Sequence, residues 1–147
     1  MESVELIELP RILDKRGSHA FLNIKLKYIQ QDIEGRRAVA NYYLENIKNP
    51  KIVLPKVLNE VGHVWYLFVI RTSKRMELQN YLAKNGIQTL IHYPIPPHKQ
   101  EAYKNYNSLS FPISEQIHEE LLSLPLSSVL GIEEMGIIVD ELNKFND

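Results

Sequence analysis

Nine consecutive residues, His63-Val64-Trp65-Tyr66-Leu67-Phe68-Val69-Ile70-Arg71, constrain the fold more than any other stretch of this chain. Alternate side chains of an extended strand point to opposite faces. Val64, Tyr66, Phe68 and Ile70 would line one face, and Trp65, Leu67 and Val69 the other. Both faces are apolar. Such a strand must be covered on both sides, which predicts the central strand of a domain over residues 63–71. A chain of 147 residues is long enough to bury a core around it. The net charge of −1 gives no electrostatic case for nucleic acid or for an anionic membrane surface. The absence of cysteine excludes disulfides, thiolate metal sites and cysteine nucleophiles, and it fits a reducing, cytoplasmic setting. The acidic start of the chain does not read as a secretory leader, and no run reaches the ~18 apolar residues of a membrane helix.

The flanking segments follow from their periods. In residues 3–9, Val4, Leu6 and Leu9 alternate with Glu5 and Glu8, a short strand ending at Pro10. Asp14-Lys15-Arg16-Gly17-Ser18 reads as a polar turn, and residues 19–24 as a second strand closing a β-hairpin. From residue 32 the period becomes helical through Ile33, Ala40, Tyr43, Leu44 and Ile47, with Asp32 as N-cap and Asn49-Pro50 as stop. Residues 51–55 predict a short strand. After the central strand, Thr72 or Ser73 opens a helix that buries Leu78, Tyr81 and Leu82 and ends at Asn85-Gly86. A strand is expected over residues 88–93, a short helix over 101–106, and a helix opened by Ser114 that breaks at Pro125. Met135, Ile138, Leu142 and Phe145 mark a last helix over residues 133–145. Few strands among several helices predict an α+β domain: a small, mostly antiparallel sheet with helices packed on it, preceded by the hairpin.

Residues 86–100, GIQTLIHYPIPPHKQ, are the stretch most suited to presenting side chains. Pro94, Pro96 and Pro97 fix φ and remove backbone donors, so the segment is stiff and extended. It carries His92, Tyr93 and His98. Loops held by a rigid scaffold often bear binding groups, although the same residues would also serve a plain structural connector. The spacing His92-x5-His98 is not a zinc spacing. Arg36 and Arg37 interrupt the apolar face of their helix, either as solvated or paired charges or as anion ligands. Phosphate-loop, dinucleotide, nucleophile-elbow and HExxH motifs are absent, and the acidic pairs of the predicted helices read as solvent-face charge.

Taken together, these residues resemble the C-terminal third of DegT/DnrJ/StrS-type aminotransferases. The likeness runs through Arg36-Arg37, Ala40 and Tyr43, then His63 to Arg71, and then Arg75, Leu78, Leu82, Gly86-Ile87 and Thr89. It continues through His92-Tyr93-Pro94, Pro97-His98, Gln100, Tyr103, Phe111-Pro112, Glu115 and Leu122-Ser123-Leu124-Pro125-Leu126. This resemblance implies the small domain of a fold-type I aminotransferase over residues 25–147. It also implies pyridoxal-phosphate chemistry on a keto sugar carried by a nucleoside diphosphate. His92 and Tyr93, with His98 behind them, would wall the nucleotide-sugar cleft, while Lys99, Arg36 and Arg37 would face the diphosphate.

In that family the Schiff-base lysine and most cofactor contacts come from a large N-terminal domain. None of the eleven lysines here stands in the family's lysine motif. The expectation is therefore that this chain alone holds no cofactor and has no catalytic residue of its own. Residues 1–24 more faintly resemble the opening hairpin of cupin-type nucleotide-sugar ketoisomerases, through Asp14, Arg16 and Gly17, which suggests a remnant fused to the aminotransferase part. Two other readings stand beside the aminotransferase one. The first is an interaction module that forms homo-oligomers through the face the large domain would cover, or that pairs with a separate large-domain chain. The second is an isomerase working through the N-terminal segment.

Overall fold

The computed structural model describes residues 15–59 and 62–146. A long helix, α1 (Lys15–Asn46), leads to strand β1 (Phe68–Arg71) and helix α2 (Arg75–Lys84). Two 3₁₀ turns, Pro97–Lys99 and Glu101–Tyr106, precede helix α3 (Pro112–Glu120), strand β2 (Leu121–Leu124) and helix α4 (Ile132–Lys144). The strands pair antiparallel, with Phe68 opposite Leu124 and Arg71 opposite Leu121. One bridge at Val53 extends the sheet beyond β1, and one at Leu90 extends it beyond β2. The α+β architecture with a small antiparallel sheet is thus as the sequence predicts.

The core forms where α1, α2 and α4 close on this sheet. Val39, Ala40 and Tyr43 of α1, with Ile47 just past its end, meet Phe68 and Ile70 of β1 and Leu122 and Leu124 of β2. Leu78 and Leu82 of α2 and Met135, Ile138, Val139 and Leu142 of α4 complete it. Phe68 lies at the centre, edge-on to Tyr43 at 5.1 Å and stacked on Trp65 at 5.3 Å. The Tyr43 hydroxyl donates to Pro125 O at 2.9 Å, which satisfies the polar end of a fully buried ring. Burial pushes its ionisation well above the ordinary tyrosine range, so the phenol stays neutral.

The structure departs from the sequence expectation in several places: Asp32, expected as an N-cap, lies inside α1, and α2 and α3 are capped by Lys74 and Phe111 rather than by Thr72 or Ser73 and by Ser114. Residues 19–24 are not a strand but part of α1, and Lys15, Arg16 and Gly17 are helical where a turn was expected. Leu22, Ile24, Leu26 and Tyr28 alternate with polar residues and so mimic a strand. Leu22, Leu26, Ile29 and Ile33 are equally spaced for a helix, and once a helix is nucleated each further residue adds a bond. The hairpin's first strand, and Asp14 of its turn, lie outside the described residues.

The doubly covered strand is also shorter than its apolar run. Trp65 has φ +49°, a left-handed conformation that turns the chain and buries its indole, while Val64 and Tyr66 stay exposed. Backbone of this kind costs on the order of 1–3 kcal/mol, and here it brings a large ring into the core. The 63–66 carbonyls, having no sheet partner, are taken by α1: Arg37 Nε donates to His63 O at 3.0 Å, and an Arg36 terminal nitrogen donates to Tyr66 O at 3.4 Å.

Pro125 does not break a helix over LSLPL; it follows β2. The predicted strands over 51–55 and 88–93 shrink to the single bridges at Val53 and Leu90. By contrast, Gly86 adopts φ +79° and ends α2 as its sequence demands. The middle of α1 is fitted closely, since a Cβ on Gly35 would meet Ser128 O at 2.7 Å.

Candidate functional site

The proline-rich segment leaves the sheet edge directly after the Leu90 bridge and is tethered at both ends. At its start, His92 Nδ1 and Ser123 Oγ lie 2.8 Å apart, so the ring is pinned to buried β2. Nε2 makes no hydrogen bond among the described residues. The next residue, Tyr93, has φ +57° and is 73 % exposed. A non-glycine residue in left-handed backbone is held there by its surroundings, and in this chain it projects a phenol into solvent beside an anchored imidazole. The two ring centres are 6.4 Å apart.

At the far end His98 is 8 % exposed. Its Nε2 is 2.8 Å from Glu115 Oε1, and its ring meets Phe111 edge-on at 4.8 Å. The same Glu115 oxygen accepts the Phe111 N–H at 3.1 Å, so one carboxylate both caps α3 and fixes the loop. The Lys99 ammonium donates to Asn107 O at 2.8 Å and Leu109 O at 3.1 Å, and Gln100 Nε2 to Ile95 O at 3.2 Å. α3 is in turn moored to β1 by Arg71, whose Nε and Nη2 reach Glu120 Oε2 at 3.0 and 2.7 Å. The loop is therefore a stiff bracket with His92 and Tyr93 at its outward end.

Of the six candidates read from the sequence, His92, Tyr93, His98 and Lys99 share this bracket. Arg36 and Arg37 sit on α1 against the 63–66 turn, with Arg36 Nε also donating to Asp32 at 3.0 Å. The positioning residues Ser123 and Glu115 are 31 and 17 positions from the histidines they hold. Only the fold brings them together.

Four carboxylates among the described residues are held below the ordinary carboxylate range. Glu115 is lowered by the Phe111 N–H and then by His98, and Glu120 by Gln116 and then Arg71. Asp32 is lowered by the Ser128 hydroxyl and then Arg36, and Glu141 by Lys144 and then Tyr81. A depressed folded-state pKa contributes stability above the unfolded value, and that stability disappears as pH falls through the folded value. The melting temperature is therefore expected to be flat from neutral pH down to about 5 and to fall below it. Glu115→Gln should flatten part of that acid limb. A limb unchanged in this variant would show that Glu115 is not held as described.

The ten lysines with described side chains test whether this chain can hold a pyridoxal cofactor. Nine are exposed and Lys74 is half-buried. Lys144 is shifted upward by Glu141, the opposite of what a Schiff-base amine requires. The described residues do not fit a covalent pyridoxal site, so no chemical step is assigned to them. What they can supply is orientation, through an anchored imidazole, an exposed phenol and a rigid backbone.

The arrangement is that of a small α+β domain that displays a polar loop at the edge of its sheet. Residues 17–143 match the DegT/DnrJ/EryC1/StrS aminotransferase family, and the chain belongs to it. It is 55% identical over 126 residues to the dTDP-3-amino-3,6-dideoxy-alpha-D-galactopyranose transaminase of Aneurinibacillus thermoaerophilus, covering 86% of this chain and 35% of that protein. The crystal structure of S. venezuelae DesV in complex with a ketimine intermediate superposes with a TM-score of 0.83 at 33% identity, over 92% of this chain and 38% of that one. A Bacillus subtilis NtdA structure with bound cofactor PMP superposes with a TM-score of 0.71 at 29% identity, over 79% and 28% of the two chains. The chain thus spans about a third of the length of these relatives. The family match starts at residue 17, so the ketoisomerase-like reading of residues 1–24 has no support from it. Among the described residues, no helix is long and apolar enough to cross a membrane.

Proposed function

We propose that this chain is the substrate-facing small domain of a nucleotide-sugar aminotransferase, with the cofactor carried by a large domain outside the described residues. The observation that carries this reading is the bracket itself. Tyr93 is held in left-handed backbone at the surface beside an imidazole pinned to Ser123. Binding a flexible ligand costs less when the protein groups are already fixed. The high identity to a dTDP-sugar transaminase adds the substrate class: a sugar linked to a nucleoside diphosphate. In this role His92 hydrogen-bonds the ligand, Tyr93 stacks on or bonds to it, and His98 keeps the loop in place. Lys99, Arg36 and Arg37 are the secondary candidates for its diphosphate. Their present contacts to carbonyls and to Asp32 would have to be shared or exchanged. Pyridoxal phosphate supplies the amino-group chemistry on the large domain, which leaves this chain without catalytic activity of its own.

Two titrations of the full chain test this. With a dTDP-linked 6-deoxyhexose, amide shifts should cluster at residues 91–99, and Tyr93→Ala should weaken binding several-fold or more. Shifts confined to other surfaces, or none, would overturn the substrate-facing role. With pyridoxal phosphate followed by borohydride, lysine labelling should be scattered and non-saturable. A single saturable lysine adduct would place the cofactor on this chain and overturn the division of labour.

A further inference from the structure

Ser123 is the one polar residue of β2, set between Leu122 and Leu124, and it is 4 % exposed. Its backbone is taken up by the sheet: the Ser123 N–H donates to Leu90 O at 2.8 Å, and its carbonyl accepts the Leu90 N–H at 3.1 Å. A buried hydroxyl is costly unless it is hydrogen-bonded. Among the described residues the partner of Ser123 Oγ is His92 Nδ1, at 2.8 Å, and no other.

That pairing fixes where the protons lie. A hydroxyl has one proton to give, and a neutral imidazole carries its own on one nitrogen only. If Nδ1–H donated to Oγ, the serine proton would be left without an acceptor at a buried position, the more expensive arrangement. With the serine donating, both groups are satisfied and the ring proton lies on Nε2. We infer that the Ser123 hydroxyl donates to His92 Nδ1 and fixes the neutral ring as its Nε2–H tautomer, so that His92 meets its ligand as a donor to an acceptor oxygen.

The outward nitrogen then has one polarity. Nε2–H is bonded to nothing among the described residues, on a half-buried ring beside the exposed phenol of Tyr93. A nitrogen that already carries a proton cannot take another, so His92 orients the ligand and is not a general base. Oxygens that only accept, those of a phosphoryl or carbonyl group, suit it without rearrangement. A group that only donates would set two protons against each other. Ser123 is thus a positioning residue, which acts on the ligand through the ring. The identity of the ligand rests on the substrate-facing role of the loop; the tautomer does not.

Proton–nitrogen correlation spectra of the imidazole rings test the tautomer on the full, ligand-free chain, above the ordinary histidine titration range. The His92 signals are those lost in His92→Gln. Nε2 should carry the proton, and Nδ1 should show the shift of a hydrogen-bonded acceptor. A proton on Nδ1 would overturn the inference, whether or not the loop binds a sugar nucleotide. In Ser123→Ala the Nδ1 signal should move to that of a free imidazole nitrogen, and binding of a dTDP-linked 6-deoxyhexose should weaken at least ~5-fold. Ser123→Thr keeps the hydroxyl at a strand position and should restore both. An unmoved Nδ1 signal in a folded Ser123→Ala chain would overturn the positioning role, and if that variant does not fold, the parent spectrum still decides the tautomer. On addition of the sugar nucleotide the Nε2 proton should move downfield. The same movement with dTDP alone would assign the acceptor to the nucleotide, and movement only with the sugar present would assign it to the sugar. Binding at residues 91–99 that leaves this proton unmoved would overturn the donor role. Absence of binding there would instead overturn the substrate-facing role and leave the tautomer standing.

Discussion

Phe68→Ala is expected to lower the stability of the domain by about 3–5 kcal/mol, the range for removing a large ring from a packed core. Phe68 is fully buried and is the residue on which three layers meet: Tyr43 of α1 edge-on, Trp65 of the preceding turn face-on, and Leu124 across the sheet. None of these neighbours can close the gap cheaply. Tyr43 is tied to Pro125 O by its hydroxyl, and Trp65 is held in left-handed backbone. Leu124 is fixed by the ladder. A domain of this size has only about 5–15 kcal/mol in hand, so the variant should lose a fifth or more of its margin, and in the least stable case all of it. Chemical denaturation checks this, with an unchanged slope and a lower midpoint as the expected outcome. A loss under about 1 kcal/mol would mean that the aromatic cluster is more plastic than its packing indicates.

The cluster also shows what could and could not be read from the sequence. Phe68 and Ile70 were legible as core because the run around them is apolar on both sides. That the run contains a turn was not legible, since it depends on Trp65 entering the core while two arginines from a helix 26 to 30 positions earlier satisfy the freed carbonyls. Arg36 and Arg37 looked like breaks in an apolar face and are instead the clasp that allows the strand to start late. The same limit explains residues 19–24, whose polar and apolar residues satisfy a period of two and a helical period at once. Helix α2 and its Gly86 stop were legible because glycine acts locally.

The candidate loop divides along the same line. Its stiffness is local, written in Pro94, Pro96 and Pro97, and so is the choice of His92 and Tyr93 as presented groups. Its tethers are not local. Ser123 belongs to a run whose four residues before Pro125 suit a strand or a buried helix turn equally well. Glu115 becomes the partner of His98 only after α3 is moored to β1 through Arg71 and Glu120. The order of dependence runs from core to sheet, from sheet to loop, and from loop to the exposed phenol. Destabilising the sheet should therefore loosen the site before any site residue is touched.

Asn49→Ala should be the most damaging polar substitution outside the loop, costing about 2–6 kcal/mol. Asn49 is 8 % exposed and follows the end of α1. Its Nδ2 donates to Leu142 O at 2.8 Å and Phe145 O at 2.9 Å, two carbonyls at the last turn of α4 that lack helical partners. Its Oδ1 accepts the Lys51 N–H at 3.0 Å. Asn143 answers from the other side: its Oδ1 accepts the Lys48 N–H at 2.7 Å and its Nδ2 donates to Asn46 O at 2.9 Å. Two asparagines thus close two helix ends on each other across more than ninety residues of chain. Removing Asn49 leaves buried carbonyls without a donor, at roughly 1–3 kcal/mol each. Removing exposed Asn143 frees the exposed Lys48 N–H and Asn46 carbonyl, which water can reach, and the N–H of Asn49, for which it is a longer acceptor at 3.2 Å, so Asn143→Ala should cost less, about 1 kcal/mol. Asn49→Leu, which restores volume but no donor, should resemble Asn49→Ala. Equal losses at the two asparagines, or recovery with leucine, would show that packing rather than the buried donor holds the ends of α1 and α4 together. The readout is the denaturation midpoint of the three variants, measured against the parent chain under the same conditions.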